Sequence, residues 1–538
     1  MELSVAWRCS RAAVIELDDG GLFTTSRTWD VYVNDEPQGT TDRIETYVDG
    51  LVPGERNVVR FVAGDEVMEI GVTCPAESFT LDVRDFGARG DGSHDDTCAI
   101  QAAIMACPAA GRVLVPEGRY LVKSLFLKSG VSIELAEGSV LLARHDRESL
   151  AYLPGTLEGA PGAGHAGSGL LPLGTWEGES RSTYCSLITG LGVSDVAIYG
   201  RGALDGQAAA EEGNWWHDPK NIYRPEVGRE VARPRLVFLS ECTGVSLVGF
   251  TVRNSPAWNI HPVLCEGLGA YALMIEGPKD SPNTDGLDPE SCGDVVVKGC
   301  HFSVGDDCMA IKSGKLDMPR ALRPATRDML VEHCYMHDGH GSVVIGSEAA
   351  GGVKDLVVRK CLFERTDRGL RVKTRRGRGA DAVNEGITFE HIRMSEVLVP
   401  FVVNSFYFCD KDGKTDYVQC REALPVDERT PRVGSLTFED IEARGCHAAA
   451  AYITGLPESK IDRLTFRDVR VDFSPDARPF VPAMACGVEE MVRQGLVVEH
   501  VRTLELDNVV VEGQDGDLLV LSDVDRVVER ASEGGARR

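Results

Sequence analysis

Hydrophobic and polar residues alternate in short segments along most of the chain, and from about residue 185 these segments share one form. Each has an apolar-x-apolar unit, two polar residues and a second apolar-x-apolar unit, as in "DVVVKGCHF", "DLVVRKCLF" and "GITFEHIRM". The alternation and the β-branched residues are typical of strands rather than helices. The central segments recur every 24 to 34 residues. Their equivalent strand positions, here called ladder positions, are Leu273, Val297, Val331, Val358 and Phe389. This recurrence predicts a solenoid with one turn per repeat, a parallel β-helix.

The first 78 residues have the same alternation without the repeat. Runs such as "TWDVYVNDE" and "NVVRFVAGDE" are separated by Gly, Asp and Pro turns, which predicts a small antiparallel β-sandwich of fibronectin type III-like form. A Gly/Asp loop and an amphipathic helix near Asp96 to Cys107 follow and are expected to cap the solenoid. We therefore predict an all-β chain with a sandwich domain at 1–78, a parallel β-helix at 79–525 and a flexible tail at 526–538.

Composition narrows the possible partners. The chain has 538 residues, 43% of them hydrophobic, and a formal net charge of -26. This charge argues against general nucleic-acid binding and against anionic membrane surfaces, although it leaves room for a local basic site. The first residues show no basic region followed by an apolar run, and no apolar segment of membrane-spanning length occurs. A cytoplasmic protein that binds no nucleic acid or membrane is expected, and its oligomeric state is left open.

Three of the 16 cysteines are interpreted as core residues from their place in the repeat. Cys300, Cys334 and Cys361 occupy one register of the repeat, in which Ile392 and Ile441 take the same place. Free, buried thiols are therefore expected. There is no C-x-x-C pair to indicate a zinc site, and no metal or other cofactor is predicted.

The repeat brings distant polar residues into one phase. Counted from the ladder position of each turn, the acidic, imidazole and cationic groups of successive turns fall at offsets of 9 to 15. Because neighbouring strands are about 4.8 Å apart, residues of one phase form a column on one face of the solenoid. The predicted column comprises Asp285, Asp306, Asp307, His340, Arg371 and Lys373.

Three carboxylates in one column suit glycoside hydrolysis. Inversion requires a protonated carboxyl on the leaving oxygen and a carboxylate that activates water, about 6.5 to 9.5 Å apart, a distance that we expect stacked turns to supply. Crowding of like charges also raises the pKa of at least one group, so that an acid stays protonated near neutral pH. Taken singly, each Asp could instead cap a turn and His340 could be structural.

The motifs resemble those of a known family. "NTDG", "GDDC", "GHGS" and "RVK" are similar, in this order and at these separations, to the four motifs of the polygalacturonases, family 28 of the glycoside hydrolases. The resemblance extends from about Val83 to Val520, and its bacterial branch is the most similar. It implies a right-handed parallel β-helix that hydrolyses α-1,4-galacturonosidic bonds of oligo- or polygalacturonate. It further implies Asp306 as general acid, Asp285 and Asp307 as the groups that hold and deprotonate water, His340 as the group that tunes Asp306, and Arg371, Lys373, Asn283 and Lys312 as substrate-binding residues.

A basic run extends from Arg368 to Arg378. Arg371 and Lys373 differ by two positions, so on a strand they point to the same side, toward the acidic column. Bidentate pairing of Arg with carboxylate favours a uronate over a neutral sugar. The remaining cations of the run are either solvated or reach further substrate carboxylates: Arg375, Arg376 and Arg378.

Three other functions remain open. A rhamnogalacturonan hydrolase would act on a backbone that alternates with rhamnose. A pectate lyase would need calcium and would release an unsaturated product. A non-catalytic carbohydrate-binding β-helix would keep the solenoid without the acid column.

Three insertions interrupt the repeat, at 145–185, 206–234 and 404–432. An exo-acting hydrolase closes one end of its cleft with added loops, and insertions of this length are usually functional. Trp215 and Trp216 in the second insertion could stack on a sugar or pack a loop. Because intact pectin does not enter a cell, a cytoplasmic location also favours short substrates. We therefore predict exo action from the non-reducing end, releasing galacturonate or digalacturonate.

Overall fold

The computed structural model describes residues 2–159, 167–209, 214–216, 223–224, 229–230 and 232–530, and the statements below concern these residues. Two bodies of strands are present. The first contains only antiparallel pairs, and the second is a large sheet system of mainly parallel pairs wound into a solenoid. No helix in this part of the chain is long and apolar enough to cross a bilayer.

The N-terminal body is a sandwich of two antiparallel sheets, as predicted. One sheet has three strands: Glu2–Arg8, Ala13–Asp18 and Glu45–Val48. The other has four: Thr24–Val33, Glu36–Arg43, Arg56–Ala63 and Glu66–Thr73. Inward residues of both sheets, including Ile15, Trp29 and Phe61, form one buried cluster, so the sandwich has its own core.

The solenoid has three faces, and a turn visits each in order. The first face is made by Thr80–Asp82, Gly111–Val115, Val131–Leu135, Ser194–Gly200, Thr243–Val248, Glu266–Tyr271, Gly293–Lys298 and Thr326–Glu332. The second is made by Asp91–Asp95, Gly118–Val122, Ser139–Ala143, Ala203–Asp205, Thr251–Arg253, Met274–Glu276, His301–Ser303 and Tyr335–His337.

In the later turns, one long strand covers both of these faces. These strands are Val353–Glu364, Val383–Ser395, Ser435–Cys446 and Ile461–Phe473, with the short strand Arg432–Val433 beside them. Gln494–Glu512 begins on the third face and continues along the other two, and Leu519–Arg530 pairs with its third-face and first-face parts. The third face is made by Leu125–Phe126, Ile188–Leu191, Val237–Ser240, Ile260–Val263, Met309–Ile311, Val343–Ile345, Arg368–Lys373, Val399–Asn404 and Ala449–Thr454.

The ladder register confirms four of the five predicted positions. Val297 pairs with Val331, Val331 with Val358, and Val358 with Phe389. Leu273 was wrong, because the partner of Val297 in the preceding turn is Ala270. The segment "AYALMIEG" has apolar residues on both sides of a bend, so its pattern fits two alignments three residues apart. The predicted register of the core cysteines is confirmed, since Cys361 pairs with Ile392 and is fully buried.

The ends of the solenoid differ. The predicted helix is present as Thr97–Ala106, and its Ile100 and Ile104 enter the solenoid core, so it caps the first turns. At the other end the last strand pairs as far as Arg530. The predicted end at residue 525 was therefore too early, because the strand pattern continues through "VDRVVER". The rest of the expected tail lies outside the described residues.

The sandwich lies along the side of the solenoid. Glu16 accepts a bond from Lys298 at 2.9 Å, and Asp18 accepts one from Lys360 at 2.9 Å. Glu45 contacts the Nδ1 atom of His333 at 3.0 Å, and both side chains are fully buried. The sandwich thus contacts several turns of the solenoid.

The insertions form short strands and turns outside the solenoid. Their strands are Tyr152–Leu153, Thr156–Glu158, Leu170–Pro172, Thr175–Trp176, Glu179–Ser180, Thr183–Tyr184, Tyr223–Arg224 and Arg229–Glu230. A one-turn helix, Asp416–Gln419, lies in the third insertion, and three 3-10 turns cover Val83–Phe86, Arg147–Ser149 and Arg320–Leu322.

Candidate active site

The predicted column lies on the third face. Parallel bridges join Ile260 to Leu287, Leu287 to Met309, and Met309 to Val343 in successive turns. Asp285 and Asp307 each stand two residues before their bridge position, and the backbone N–H of His340 donates to the carbonyl of Asp306 at 3.0 Å. The parallel register therefore brings residues far apart in sequence to one place, as the repeat predicted.

The three carboxylates are closer together than expected. One oxygen from each of Asp285, Asp306 and Asp307 lies within 4.8 Å of the others. The predicted spacing of about 6.5 to 9.5 Å was wrong for these oxygens. The reason is that the three groups come from only two adjacent turns, whose separation is about 4.8 Å.

Asp306 is tied to the histidine of the next turn. His340 Nδ1 lies 3.4 Å from Oδ1 of Asp306, and the imidazole is half exposed. Burial raises the pKa of Asp306, but the hydrogen bond and charge of His340, together with Lys373, outweigh burial and hold this pKa below its usual range. In return, Asp306 raises the pKa of His340 above its ordinary value.

Asp307 and Asp285 have opposite surroundings. Lys373 donates to Asp307 at 2.9 Å and Arg371 lies 3.6 Å from it, so Asp307 has two cationic neighbours. Asp285 is buried, and its Oδ1 has no hydrogen-bond partner among the described residues. Burial, and then the neighbouring charge of Asp288, raise the pKa of Asp285 well above its ordinary value. The surroundings of Asp285 therefore favour its protonated form.

Two carboxylates that the sequence analysis missed lie beside the column. Asp288 is fully buried, and burial raises its pKa to about 7. Glu348 contacts Lys312 at 3.3 Å, and Lys312 lies 3.5 Å from Asp288. Asp288 stands three residues after Asp285 in "NTDGLDPE", and Glu348 ends "GHGSVVIGSE", so both were within motifs that pointed to the site.

The two residues predicted to bind substrate by resemblance alone also face the site. Asn283 has a positive φ of 54°, and its Oδ1 accepts a bond from Arg233 at 2.8 Å. Lys312 is buried, and its ammonium lies 4.5 Å from the ring centroid of Trp258. Each therefore has an intramolecular partner.

Two connected cavities open over the column. The larger, here called the outer compartment, has a volume of about 470 Å³ and is lined by Lys279, His340, Arg371 and Met484 among others. The smaller, the inner compartment, has about 120 Å³ and is lined by Asp285, Asp307, Trp258, Lys312, Glu348 and Asp410 among others. Both are lined by Asn283, Asp306, Lys373, Glu177, Tyr407 and Cys409.

The two tryptophans of the second insertion pack loops, which is one of the two roles that the sequence left open for them. Trp215 is only 2% exposed and packs with Leu150 and Ala208, so it stabilises a loop. Trp216 donates from its indole to the carbonyl of Ser255 at 3.0 Å. Trp176 and Tyr407, from the first and third insertions, line the compartments instead.

The remaining cations of the basic run are neither solvated nor aimed at the compartments. Arg375 pairs with Asp410 and Asp412, and Arg378 also pairs with Asp410. Arg376 pairs with Glu458 and donates to several carbonyls of the third insertion. These arginines hold the insertion in place.

The carboxylate group also has the spacing of a cation site. Oxygens within 4.8 Å of one another could bridge a divalent ion. However, Lys373 already lies 2.9 Å from Asp307 on this side. The ammonium would compete with a bound metal for the same oxygen.

Comparison with known proteins agrees with this geometry. The family model described as "Glycosyl hydrolases family 28" matches residues 112–480, and one described as "Rhamnogalacturonase A/epimerase, pectate lyase-like" matches residues 80–134. A "Probable polygalacturonase" of Vitis vinifera is 28% identical over 78% of this chain and 79% of that protein. An "Endo-polygalacturonase" of Pectobacterium carotovorum subsp. carotovorum is 28% identical over 65% of this chain and 78% of that protein.

A solved structure shows the same fold along the whole chain. The family 28 exopolygalacturonase of Yersinia enterocolitica superposes with a TM-score of 0.69 at 19% identity and covers 100% of both chains. The family match spans most of the solenoid, including every residue of the column. The chain therefore belongs to family 28 of the glycosyl hydrolases, the polygalacturonase family.

Proposed function

We propose that this chain hydrolyses α-1,4-galacturonosidic bonds of oligo- or polygalacturonate, acting from the non-reducing end with inversion. The observation that carries the proposal is the group of three carboxylates set beside Arg371 and Lys373 in the floor of one cleft. Carboxylates supply acid and base catalysis, and adjacent cations select an anionic sugar. A neutral glycan would not need these cations.

Each residue of the column has a role in this proposal. Asp306 protonates the leaving oxygen, while Asp285 and Asp307 hold the water and remove its proton. Arg371 and Lys373 bind the carboxylate of the sugar beside the scissile bond. Both cations also contact Asp307.

The acid role of Asp306 requires a proton to move when substrate binds. Contacts with His340 and Lys373 favour the ionised form of Asp306, whereas burial favours the protonated form of Asp285. A bound uronate brings negative charge to Lys373 and Arg371 and excludes water, and both effects raise the pKa of Asp306. Because the carboxyl groups of Asp285 and Asp306 interact, they share one proton. In the substrate complex this proton is on Asp306, which can then act as the acid.

Inversion is supported by family membership rather than by the carboxylate spacing, which is shorter than the general rule. The third carboxylate offers a second contact to a water, which favours water over a covalent intermediate. Proton NMR during the first turnovers tests this directly. A β-anomeric product from the α-linked substrate is expected, and an α-anomer would show retention.

Exo action is supported by the walls of the inner compartment. Residues of the first and third insertions, Glu177, Tyr407 and Asp410, line it. Digestion of polygalacturonate should release small products with little loss of viscosity. A ladder of intermediate oligomers with rapid loss of viscosity would show an open cleft and endo action.

One experiment tests reaction, substrate and acid together: product analysis on defined oligogalacturonides, with Asp306→Asn as the inactive control. A parallel assay on a rhamnose-alternating backbone tests the rhamnogalacturonan alternative, which the match over residues 80–134 favours. Activity that survives a chelator without an ultraviolet-absorbing product excludes a calcium-dependent lyase. The cytoplasmic location stays a prediction, to be checked by cell fractionation.

A further inference from the structure

A segment outside the solenoid, residues 474–493, lies against the third face beside the column. It was not among the three insertions recognised in the sequence. Its Ala483 belongs to one buried cluster with Val402 of the third face. The guanidinium of Arg368, on the same face, donates to the carbonyl of Pro482 at 3.0 Å. The segment is therefore fixed next to the cations of the column.

Met484 of this segment reaches into the outer compartment. Its carbonyl accepts bonds from the side-chain amide of Asn404 at 3.2 Å and from the backbone N–H of Phe408 at 3.1 Å, so its backbone is held in place. Its Sδ atom accepts a bond from Nη2 of Arg371 at 3.0 Å, and the residue is partly exposed. The thioether therefore lies against one of the two cations that the proposed function assigns to the sugar carboxylate.

A thioether binds this guanidinium only weakly. The sulfur of methionine is a poor hydrogen-bond acceptor, so a substrate carboxylate can take its place on Arg371. Oxidation to the sulfoxide puts a polar oxygen on the sulfur. Since the sulfur of Met484 is 3.0 Å from Nη2, that oxygen is within reach of the guanidinium. A hydrogen bond from a charged donor is about twice as strong as a neutral one, so the sulfoxide competes with the carboxylate.

Hydrogen peroxide supplies the oxygen for this reaction. A lone pair of the Met484 sulfur attacks one peroxide oxygen and the O–O bond breaks. The second oxygen takes the proton of the first and leaves as water. The thioether is oxidised by two electrons to the sulfoxide, and the peroxide is reduced by two.

A second sulfur lies beside the first. Sγ of Cys409, which lines both compartments, is 4.0 Å from Sδ of Met484. Burial raises the pKa of the Cys409 thiol, and the thiolate is the form that peroxide oxidises. A thioether has no proton to lose before it reacts. Near neutral pH the sulfur of Met484 is therefore the more readily oxidised of the two.

We propose that Met484 is an oxidation site at which hydrogen peroxide reversibly inhibits the enzyme, because the sulfoxide oxygen binds Arg371 in place of the uronate carboxylate. The inference rests on the proposed function, since it assigns a means of control to the same cleft. Reversal requires methionine sulfoxide reductases, which reduce the sulfoxide back to the thioether.

Two leucine variants test the site. Met484→Leu removes the sulfur at nearly constant volume. Met105→Leu is the matched control, because Met105 is 58% exposed on the capping helix Thr97–Ala106, away from the cleft. After treatment with hydrogen peroxide, kcat/KM on trigalacturonate should fall about tenfold or more in wild type and in Met105→Leu, since one hydrogen bond to a charged group has an effect of about this size. Met484→Leu should keep its own untreated value.

Mass spectrometry of peptides from the treated wild type assigns the loss to one sulfur. At each peroxide concentration the residual activity should equal the unoxidised fraction of Met484 and not that of Met105. Methionine sulfoxide reductases A and B should restore it. Because this measurement uses wild type alone, it decides the question even where Met484→Leu does not fold.

Four results would overturn the inference. They are a lack of oxygen addition at Met484, full activity of wild type oxidised there, equal inactivation of wild type and folded Met484→Leu, and protection by Cys409→Ser in place of Met484→Leu. The last result would assign the inhibition to the thiol. Absence of hydrolysis by untreated wild type would overturn the proposed function instead, whereas failure of the inference appears only in the comparison of treated with untreated protein.

Discussion

Two clusters of buried charge in this molecule have the same composition. The catalytic cluster comprises three carboxylates, a lysine and a histidine: Asp285, Asp306, Asp307, Lys373 and His340. The interface cluster, between the sandwich and the solenoid, comprises the same kinds of group: Glu16, Glu45, Glu332, Lys298 and His333. Composition alone would rank them equally as functional sites.

The two clusters differ in how charge is compensated. Lys298 lies 2.9 Å from Glu16, 2.8 Å from Glu332 and 3.7 Å from Glu45, so one cation serves all three carboxylates. In the catalytic cluster Lys373 contacts Asp307, whereas Asp285 has no cation within 4.0 Å among the described residues. The unbalanced cluster is the one that opens into the compartments. A buried carboxyl group without a cationic partner, beside a cavity, is therefore a better sign of chemistry than a concentration of charge.

The largest expected effect comes from removing the acid of the catalytic cluster. Asp306→Asn should lower kcat by about 10² to 10⁴-fold or more, because general acid catalysis contributes this much and the group acts as a unit. Turnover is measured on trigalacturonate, and circular dichroism checks the fold. Near-normal turnover would remove Asp306 from the acid role.

Removing the cation of the interface cluster should affect stability and not chemistry. Lys298→Met leaves three carboxylates without their shared partner, which should cost about 3 to 5 kcal/mol of unfolding free energy. The loss should shrink as pH falls, because protonation neutralises the unpaired carboxylates. Urea unfolding at several pH values measures it, with kcat/KM expected to stay unchanged in the folded fraction.

The matched control for this variant is Lys354→Met. Lys354 pairs with Glu385 at 3.8 Å on the surface, and both side chains are more than a third exposed. Surface pairs contribute about 0 to 1 kcal/mol, so little loss is expected. Equal losses in the two variants would contradict the comparison.

Kinetic and stability measurements also distinguish the arginines of the basic run that line the cleft from those that bind the third insertion. Arg371→Lys keeps the charge but loses the planar donor fork, so kcat/KM on oligogalacturonides should fall about tenfold to a hundredfold. Arg376→Lys should lower the unfolding midpoint instead, because Arg376 bonds Glu458 and not the cleft. Steady-state kinetics and thermal unfolding of both variants measure this. A kinetic effect of Arg376→Lys alone would reverse the assignment.

The smallest expected effect is a shift in pH dependence. The cationic form of His340 lowers the pKa of Asp306, so His340→Gln should let the carboxylates keep their shared proton to higher pH. The alkaline limb of the kcat/KM profile should move upward. Because the pKa of His340 is itself raised, its stabilising contact with Asp306 is complete below about pH 6.5 and is lost as pH rises through the folded value. An alkaline limb that moves downward would contradict the role of His340.

The column could be predicted because a solenoid converts sequence phase into spatial position. Asp306 and His340 stand three residues before Met309 and Val343, and the parallel register then fixes their neighbours. The strand register was harder to predict where the chain bends between two faces. The predicted ladder position Leu273 lies three residues from the observed one, Ala270. A short alternating pattern fits more than one register when apolar residues stand on both sides of a bend.

The walls of the cleft could not be predicted, because insertions have no period. Trp176 meets Trp258, and Lys315 meets Asp410, through loops whose paths depend on packing rather than on a repeated spacing. For this reason the sequence left both sugar stacking and loop packing open for Trp215 and Trp216 and did not indicate Trp176. The arginines after Lys373 were ambiguous for the same reason, since their carboxylate partners lie in the third insertion and beyond.

The contact between Asp18 and Lys360 has a consequence for biosynthesis. The two residues are separated by 342 positions along the chain. At a synthesis rate of about 5 to 20 residues per second, roughly 15 to 60 s pass between the completion of the last sandwich strand at Thr73 and the synthesis of Lys360. During this interval the sandwich has its own core, but its docking face, with Glu16 and Glu45, is still open to water. We therefore expect the finished sandwich to serve as a template on which the turns assemble in order as they leave the ribosome.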